Sequence, residues 1–512
     1  FSIVALLLHE QILLNIVLIN LRGRIMKTNT YLKKMDFGNE AADDVDDEEL
    51  KSYFVTQDNF EAFLKDSKRL QVVKAKKGMG KSALIKWLGL EISERYENSL
   101  VIKIRGSELS RENFKLTNVL SEPNEYIQDW MVRFCALVNR ELAKKVGFAF
   151  TDDQISLVES AEFQGFKERN LVSCLLSRFK HILGKYQPES IKEINHLEIL
   201  KRIESLNYSS IWILIDDLDA TFQNTDKEKV NIGSFFSACR YMIQDIKGIN
   251  FRVTLRSDVW PVVRRHDESM DKIEQYISEI KWTEEDFKRI ICRRIQSEFP
   301  KDTEGLNDND LLGIIFQSTV FWNEKDVPTY QVLYILAYNR PRWGVQLCKL
   351  AQEDAIRKNM SHIGKRNIDA RWGEYGLKRI ADLVVEHKHQ CPQVEDLVNS
   401  FRSLDRRFPQ RELLEIIRKK ILNSLNIQID GQKIHKSESI ADFLYRIGFI
   451  VARAEEDGYG YYHYNYSDLP DLFSGGNNDF NLIWEIHPCY REALNIKKLN
   501  AEQRNAKNYR YK

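Results

Sequence analysis

Five short apolar runs mark residues 70 to 282 of the chain: LQVVKA (70–75), LVIKI (100–104), IWILID (211–216), FRVTLR (251–256) and YISEIKW (276–282). Each has the length of a strand, and helical segments separate them, so they predict a mostly parallel sheet covered on both faces. The last run alternates more and reads as an edge strand. Between the second and third lies a long helical stretch that includes YIQDWMVRFCALVNRELAKK, more than a plain crossover needs; it predicts a helical insertion at about 106–209. Upstream, ELKSYFVTQDNFEAFL spaces Phe54, Phe60, Phe63 and Leu64 as on one helix face. After Trp282 a helix is expected to open at the N-cap Thr283, with Asp286 three residues on. Further helices follow, among them YNRPRWGVQLCKLAQEDAIRK. Toward the C-terminus, RELLEIIRKKILNSL and SIADFLYRIGFIV read as helices, and GYGYYHYNYS and NLIWEIH as strands around the polar turn SGGNND. Helices followed by a two-stranded wing have the order of a winged helix.

At 512 residues the chain exceeds one core and predicts two to four domains. The pattern divides it into a leader (1–35), a core (36–298), a helical lid (299–375) and a winged-helix-like domain (376–512). Its 43% hydrophobic and 29% charged residues argue against a disordered or fibrous protein. The net charge of +1 requires any nucleic-acid surface to be local. Seven cysteines without a CxxC pair read as scattered thiols of a reducing, cytoplasmic compartment, with neither a disulfide framework nor a zinc site. FSIVALLLHEQILLNIVLINLRGR is long enough to span a bilayer. His9, Glu10, Gln11, Asn15 and Asn20 interrupt it, and it lacks a basic n-region and a cleavage site. Met26 or Met35 is the expected natural start, and the leader is read as upstream sequence outside the fold. A membrane anchor and a buried helix are the competing readings, and no membrane partner is expected.

Behind the first apolar run stands AKKGMGKSA. A strand ending at Ala75, a glycine-bearing turn and then KSALIKWLGLEI as a helix form the P-loop arrangement. Ala75 takes the place of the first glycine of G-x-x-x-x-G-K-[ST]. Gly78 and Gly80 let the backbone curl so that N–H groups face phosphates, and the helix N-terminus adds positive charge. Lys76, Lys77, Gly78, Met79, Gly80, Lys81, Ser82 and Ala83 are the candidate nucleotide-binding residues. Lys81 is expected on the β- and γ-phosphates and the Ser82 hydroxyl on Mg²⁺. The alternative is an ordinary lysine-rich turn.

IWILIDDLD supplies the second element. Its apolar run carries Asp216 out at the carboxyl end of a buried strand, where ligands collect, and Asp216 would hold Mg²⁺ through water. Asp217 is the candidate for orienting the attacking water, with Asp219 its competitor; a capping cluster is the plain alternative. Arg256, ending FRVTLR, stands where a γ-phosphate sensor would, or pairs with Asp258 at the surface. Arg340 and Arg342, flanking Pro341 at a helix start, are candidate lid arginines on the nucleotide, or a solvated helix terminus.

Together these elements resemble bacterial P-loop ATPases of the AAA+/STAND type, related to the ORC/CDC6 and KAP families. The pieces that carry the resemblance are FGNEAADD, YFVTQDNFEAFL, AKKGMGKSA, ILIDDLD, LRSDVW, NRPRW and WEIHPCYREALNI, spread over residues 36 to 497. The resemblance implies an α/β P-loop core with a helical lid and a C-terminal winged helix, ATP and Mg²⁺ as ligands, and a frequent place in anti-phage defence. The family's usual glutamate after the Mg²⁺ aspartate is missing here, which implies slow turnover.

The leading expectation is therefore an ATP-driven switch that regulates an effector protein, a further copy of itself or DNA. The runner-up is an ORC/CDC6-like DNA-binding regulator in which ATP mainly controls assembly; a non-hydrolysing scaffold is the third class. Arg406, Arg407, Arg411, Arg418, Lys419, Lys420 and the tail from Lys507 are the cues for double-stranded DNA. The strip Tyr459, Tyr461, Tyr462, His463, Tyr464 and Tyr466 would either stack on nucleic acid or form a cross-strand ladder.

Overall fold

The structure is a computed structural model. It describes residues 31–111, 122–146, 209–322 except 221 and 223, 325–456, 460–466, 468–469, 472–473 and 483–497. The chain divides into one unit of Ala41–Lys281 and a second of Trp282–Lys512 together with the segment ending at Glu40.

In the first unit the five apolar runs become β1 (Leu70–Ala75), β2 (Ser99–Arg105), β3 (Ser210–Asp216), β4 (Ile249–Arg256) and β5 (Ile277–Glu279). The sheet is parallel in the order β2-β3-β4-β1-β5, the order of an AAA+ P-loop core. The inner strand β3 is buried at all seven positions. At the margin, β2 buries every second residue, and β5 pairs through only three, as its alternation anticipated. One face packs on α2 (Pro123–Val146) and α3 (Asp226–Asp245): Phe134 stands 4.9 Å from Phe251, and Trp130 meets Phe235 edge to face at 5.2 Å. Leu84, Leu88 and Ile92 are buried on α1 (Lys81–Arg95).

On β4 the fully buried Arg252 lies over Trp212 at 4.6 Å and donates to the carbonyls of Phe63, Phe251 and Lys65. Burial pushes its proton affinity down to about 9. Within an apolar run this arginine fastens the loop that precedes β1.

Of the expected insertion, Gly106–Arg111 and α2 are helical, and 147–208 lie outside the described residues. Gly106 has a steric duty. A Cβ there would stand 2.4 Å from the Leu218 Cα and 3.0 Å from the Asp217 carbonyl oxygen. The end of β2 and the loop after β3 therefore approach as only glycine allows. Gly106→Ala should cost about 1–3 kcal/mol and displace Asp217. Urea unfolding combined with nucleotide turnover would show it, turnover falling more than nucleotide affinity.

The second unit departs from the expected boundaries. The helix Glu284–Glu298 belongs to it rather than to the sheet unit. Its cap is as expected: Thr283 and Asp286 form a reciprocal capping box. The segments expected as separate lid and winged helix share one hydrophobic core, from Phe287 and Trp343 through Tyr375 to Trp484. The expected leader is also partly corrected. Leu32, Met35 and Phe37 are buried in that core, and the Gln352 side chain donates to the carbonyls of Leu32 (2.8 Å) and Met35 (2.6 Å). Residues 1–30 lie outside the described ones; among the latter, no helix is long and apolar enough to cross a membrane.

A small hairpin, β6 (Thr319–Trp322) and β7 (Lys325–Pro328), precedes the helices Thr329–Ala337, Pro341–Arg357 and Lys365–His387. The last part runs β8 (Arg407–Pro409), α4 (Gln410–Ile416) continuing as a π turn to Leu422, a two-stranded β9 (Gln428–Ile429) and β10 (Gln432–Lys433), α5 (Ser437–Arg446), then β11 (Ile450–Glu456), β12 (Gly460–Tyr464) and β13 (Ile483–Ile486). The four-stranded sheet has the order β12-β11-β13-β8. Two sequence expectations change. Residues 450–451 open a strand instead of ending a helix, and the two expected wing strands flank β11 instead of pairing with each other. Tyr464 and Tyr466 pack against the core, with Tyr466 edge-on to Tyr445 at 5.5 Å; both are packing residues. The side chains of Tyr459, Tyr461 and Tyr462 lie outside the described set, as does the tail from Lys507.

Candidate nucleotide-binding site

All the site residues expected on the sheet unit lie at the carboxyl ends of its strands. The loop Lys76–Gly80 joins β1 to α1, and Gly78 (φ 82°) and Gly80 (φ 90°) adopt the left-handed backbone for which glycine suits the turn. Ala75 is still strand, in register with Arg256, and needs no such freedom; this is why alanine serves where the motif's first glycine would stand. Lys81 is buried, its Nζ 3.2 Å from the Ala75 carbonyl and 3.5 Å from that of Lys76. Ser82 and Ala83 follow, half-buried, in the first turn of α1. Met79 is buried beneath the loop and Lys77 is exposed.

Asp216 ends β3. Its Oδ1 accepts from the Thr254 hydroxyl (2.5 Å) and the Asp217 N–H (2.9 Å), and Thr254 Oγ1 also takes the Asp217 N–H at 3.0 Å. Sequence reasoning did not single out Thr254; a lone hydroxyl inside the run FRVTLR was the available signal. Asp217 has a positive φ of 48°, costly for a residue with a Cβ and seen mostly for Asn and Asp. Its carboxyl titrates above the usual range, first because of burial and next because of Asp216, with Lys81 opposing both.

Asp219 and Arg256 belong together. Asp219 Oδ1 accepts from the Arg256 N–H (3.1 Å), while its Oδ2 stands 3.6 Å from the guanidinium Nε, an ion pair rather than a hydrogen bond. Asp258 takes the same guanidinium in a two-point grip at 3.1 and 2.5 Å. The structure thus shows the Asp258 pairing that competed with the sensor role. Burial pushes the Asp219 carboxyl up to about 6, with Lys81 and then Arg256 opposing. Because that value lies above the unfolded one, the folded state holds the extra proton between about pH 4 and 6, and stability falls as pH rises through that window. Asp219→Asn should flatten this slope and gain up to about 3 kcal/mol above pH 6, less about 1 kcal/mol for weakened contacts to Arg256. Urea titrations of both proteins from pH 4 to 7 would check it; equal slopes would contradict it.

FGNEAADD contributes to the same unit through its last residues. Asp43 pairs with Arg105 at 2.6 Å, and Lys86 of α1 donates to the carbonyls of Ala42 and Val45.

The two lid candidates lie in the second unit and are not equivalent. Arg340 is wholly buried; its Nη1 donates to Glu386 at 2.8 Å, and the guanidinium lies 4.2 Å from the Trp343 ring. Withdrawing it would strand a buried carboxylate at a cost of about 3–5 kcal/mol. Arg342 is half-buried and donates to the Glu40 carbonyl at 3.1 Å.

No family model matches the sequence, and no curated protein matches it. Among solved structures, the chain is similar to the ORC2 protein of Aeropyrum pernix in its ADPNP–ADP complexes, with 10% identity over 88% of this chain and 96% of that one and a TM-score of 0.39. It is similar to the ORC1 protein of the same organism in complex with DNA, with 12% identity over 86% and 92% and a TM-score of 0.32. At these scores the likeness is loose, and the fold assignment rests on this chain's own strand order.

Proposed function

We propose that the chain is an ATP-binding and ATP-hydrolysing P-loop switch. The reading is carried by one convergence: a glycine-curled loop with a buried lysine at the end of β1, and an aspartate fixed by Thr254 at the end of β3. The residues fit a nucleoside triphosphate with Mg²⁺. Loop N–H groups and Lys81 would hold the phosphates; Ser82 and Asp216 would hold the ion, which when bound neutralises phosphate charge. Asp217 orients water. Asp219 holds the backbone of Arg256, whose guanidinium meets the γ-phosphate when Asp258 releases it. The lid role falls to Arg342. Turnover is slow, since an aspartate stands where the family has a glutamate, and nucleotide state regulates an effector, a further copy of the chain or DNA. An anti-phage setting rests on the sequence resemblance alone, and a cytoplasmic one on the scattered cysteines.

One observation favours the DNA-regulator variant. Arg418 and Lys419 are 63% and 65% exposed in their side chains, beside a cavity of about 630 Å³ that Arg411 and Arg418 line. Glu415 and Glu438 line it too and offset part of that charge. Phosphate release by the purified chain with Mg²⁺ and ATP, with and without duplex DNA, separates the readings. Turnover without DNA supports the switch; nucleotide-dependent DNA binding without turnover supports the regulator; no nucleotide binding overturns both.

A further inference from the structure

Arg256 stands between two carboxylates that compete for one hydrogen. Its Nε carries a single N–H, which Asp258 Oδ1 takes at 3.1 Å while Asp258 Oδ2 takes Nη2 at 2.5 Å. Asp219 Oδ2 lies 3.6 Å from the same Nε, beyond hydrogen-bond reach, because that N–H is committed to Asp258. This Asp219 oxygen is shielded from water and has no hydrogen-bond partner among the described residues. Its twin, Oδ1, is already engaged by the Arg256 backbone N–H. A buried carboxylate oxygen without a donor is costly, and each instance calls for a reason. Burial is also the largest cause of the rise of this carboxyl to about 6. The two acids differ in access: the side chain of Asp258 is 15% exposed and that of Asp219 only 1%.

We infer that Arg256 has two seats: Asp258 latches it away from the γ-phosphate, in the position the structure shows, and Asp219 Oδ2 receives its Nε in the position that reads the γ-phosphate. The inference rests on the P-loop reading above and adds its regulation. The latch occupies the Nε–Nη2 edge of the guanidinium fork. The Asp219 seat takes Nε alone, so both terminal nitrogens can turn to phosphate oxygens, which a guanidinium matches well. Exchange between the seats swaps one carboxylate for another and leaves no charge uncompensated. On release, water reaches Asp258, while Asp219 gains the donor that water cannot supply. Asp258 is thus a positioning residue that acts on the chemistry only through Arg256, and the latch gives slow turnover a second cause.

The test is a gain of function in the full chain. Asp258→Asn keeps the shape and removes the charge that holds the fork; Asp258→Ser, read in the same way, covers a failure of the first variant to fold. Phosphate release at saturating Mg²⁺ and ATP should rise roughly tenfold, the worth of one charge-assisted contact. In an Asp217→Asn background, where ATP binds without turnover, calorimetry should show the ratio of ATP to ADP affinity rising by a similar factor. Structural damage would lower both quantities. Asp258→Glu, which keeps the charge, should stay near the parent, and adding Arg256→Gln to Asp258→Asn should cancel both gains. No gain in a folded Asp258 variant of a parent that turns over ATP overturns the latch and leaves the P-loop reading standing. A gain that survives Arg256→Gln overturns the latch as well. If the parent binds ATP without turnover, the affinity ratio alone decides. A parent that binds no ATP overturns both.

Discussion

Lys81→Ala should abolish nucleotide turnover while leaving the sheet unit folded. The Lys81 ammonium is buried against the carbonyls of Ala75 and Lys76, with no carboxylate hydrogen-bonded to it among the described residues. Its removal breaks no hydrogen bond to a carboxylate, but it takes a compensating charge from Asp217 and Asp219, and the two carbonyls lose one donor. The stability cost is expected to be about 1–2 kcal/mol. The functional cost is far larger, because a fixed ammonium at the loop is the strongest positive charge available to a γ-phosphate. A factor of roughly 10²–10³ in turnover is expected, typical of deleting a positioned electrostatic donor. Calorimetric titration with ATP should show weakened affinity, and thermal unfolding a Tm lower by roughly 2–8 °C with the transition still cooperative. Unchanged ATP affinity would remove the P-loop assignment.

The second large effect separates binding from chemistry. Asp217→Asn should leave ATP affinity intact and lower turnover by roughly 10² or more, as for loss of a positioned base. Asparagine tolerates the positive φ of 48° at this position, so the substitution removes charge without adding backbone strain. Asp219→Asn should act less strongly on turnover, because Asp219 is buried and directed at Arg256 rather than at the loop of β1. The geometry thus favours Asp217 in a competition that the sequence left open. If Asp219→Asn stops turnover and Asp217→Asn does not, the two roles are exchanged. Single-turnover phosphate release at saturating ATP would decide it, since binding differences drop out under that condition.

The sequence by itself determined the parallel sheet and the P-loop. Both are local patterns: β-length apolar runs, and glycines set between a strand and a helix. Neighbouring residues create each, so one dimension suffices. Strand order, by contrast, followed from long-range packing. Only the fold places β4 between β1 and β3, and only that placement brings Thr254 onto Asp216 and Asp219 onto Arg256. The same holds for Gly106, which looked like a helix start and proved to be a close-approach point for Leu218. Arg340 and Arg342, two residues apart, looked alike in the sequence; only the fold buries Arg340 against Trp343 and Glu386 and leaves Arg342 half-buried, and a charge's role depends on the dielectric around it. Wing pairing was misread for a related reason. A polar turn between two strands predicts a hairpin, yet Ile450–Glu456 inserts between them, because its apolar Ile450, Val451 and Ala452 bury better at the centre of the sheet than at a helix end. Local chemistry was written in the chain, and the partnerships that give it direction were decided by tertiary contacts alone.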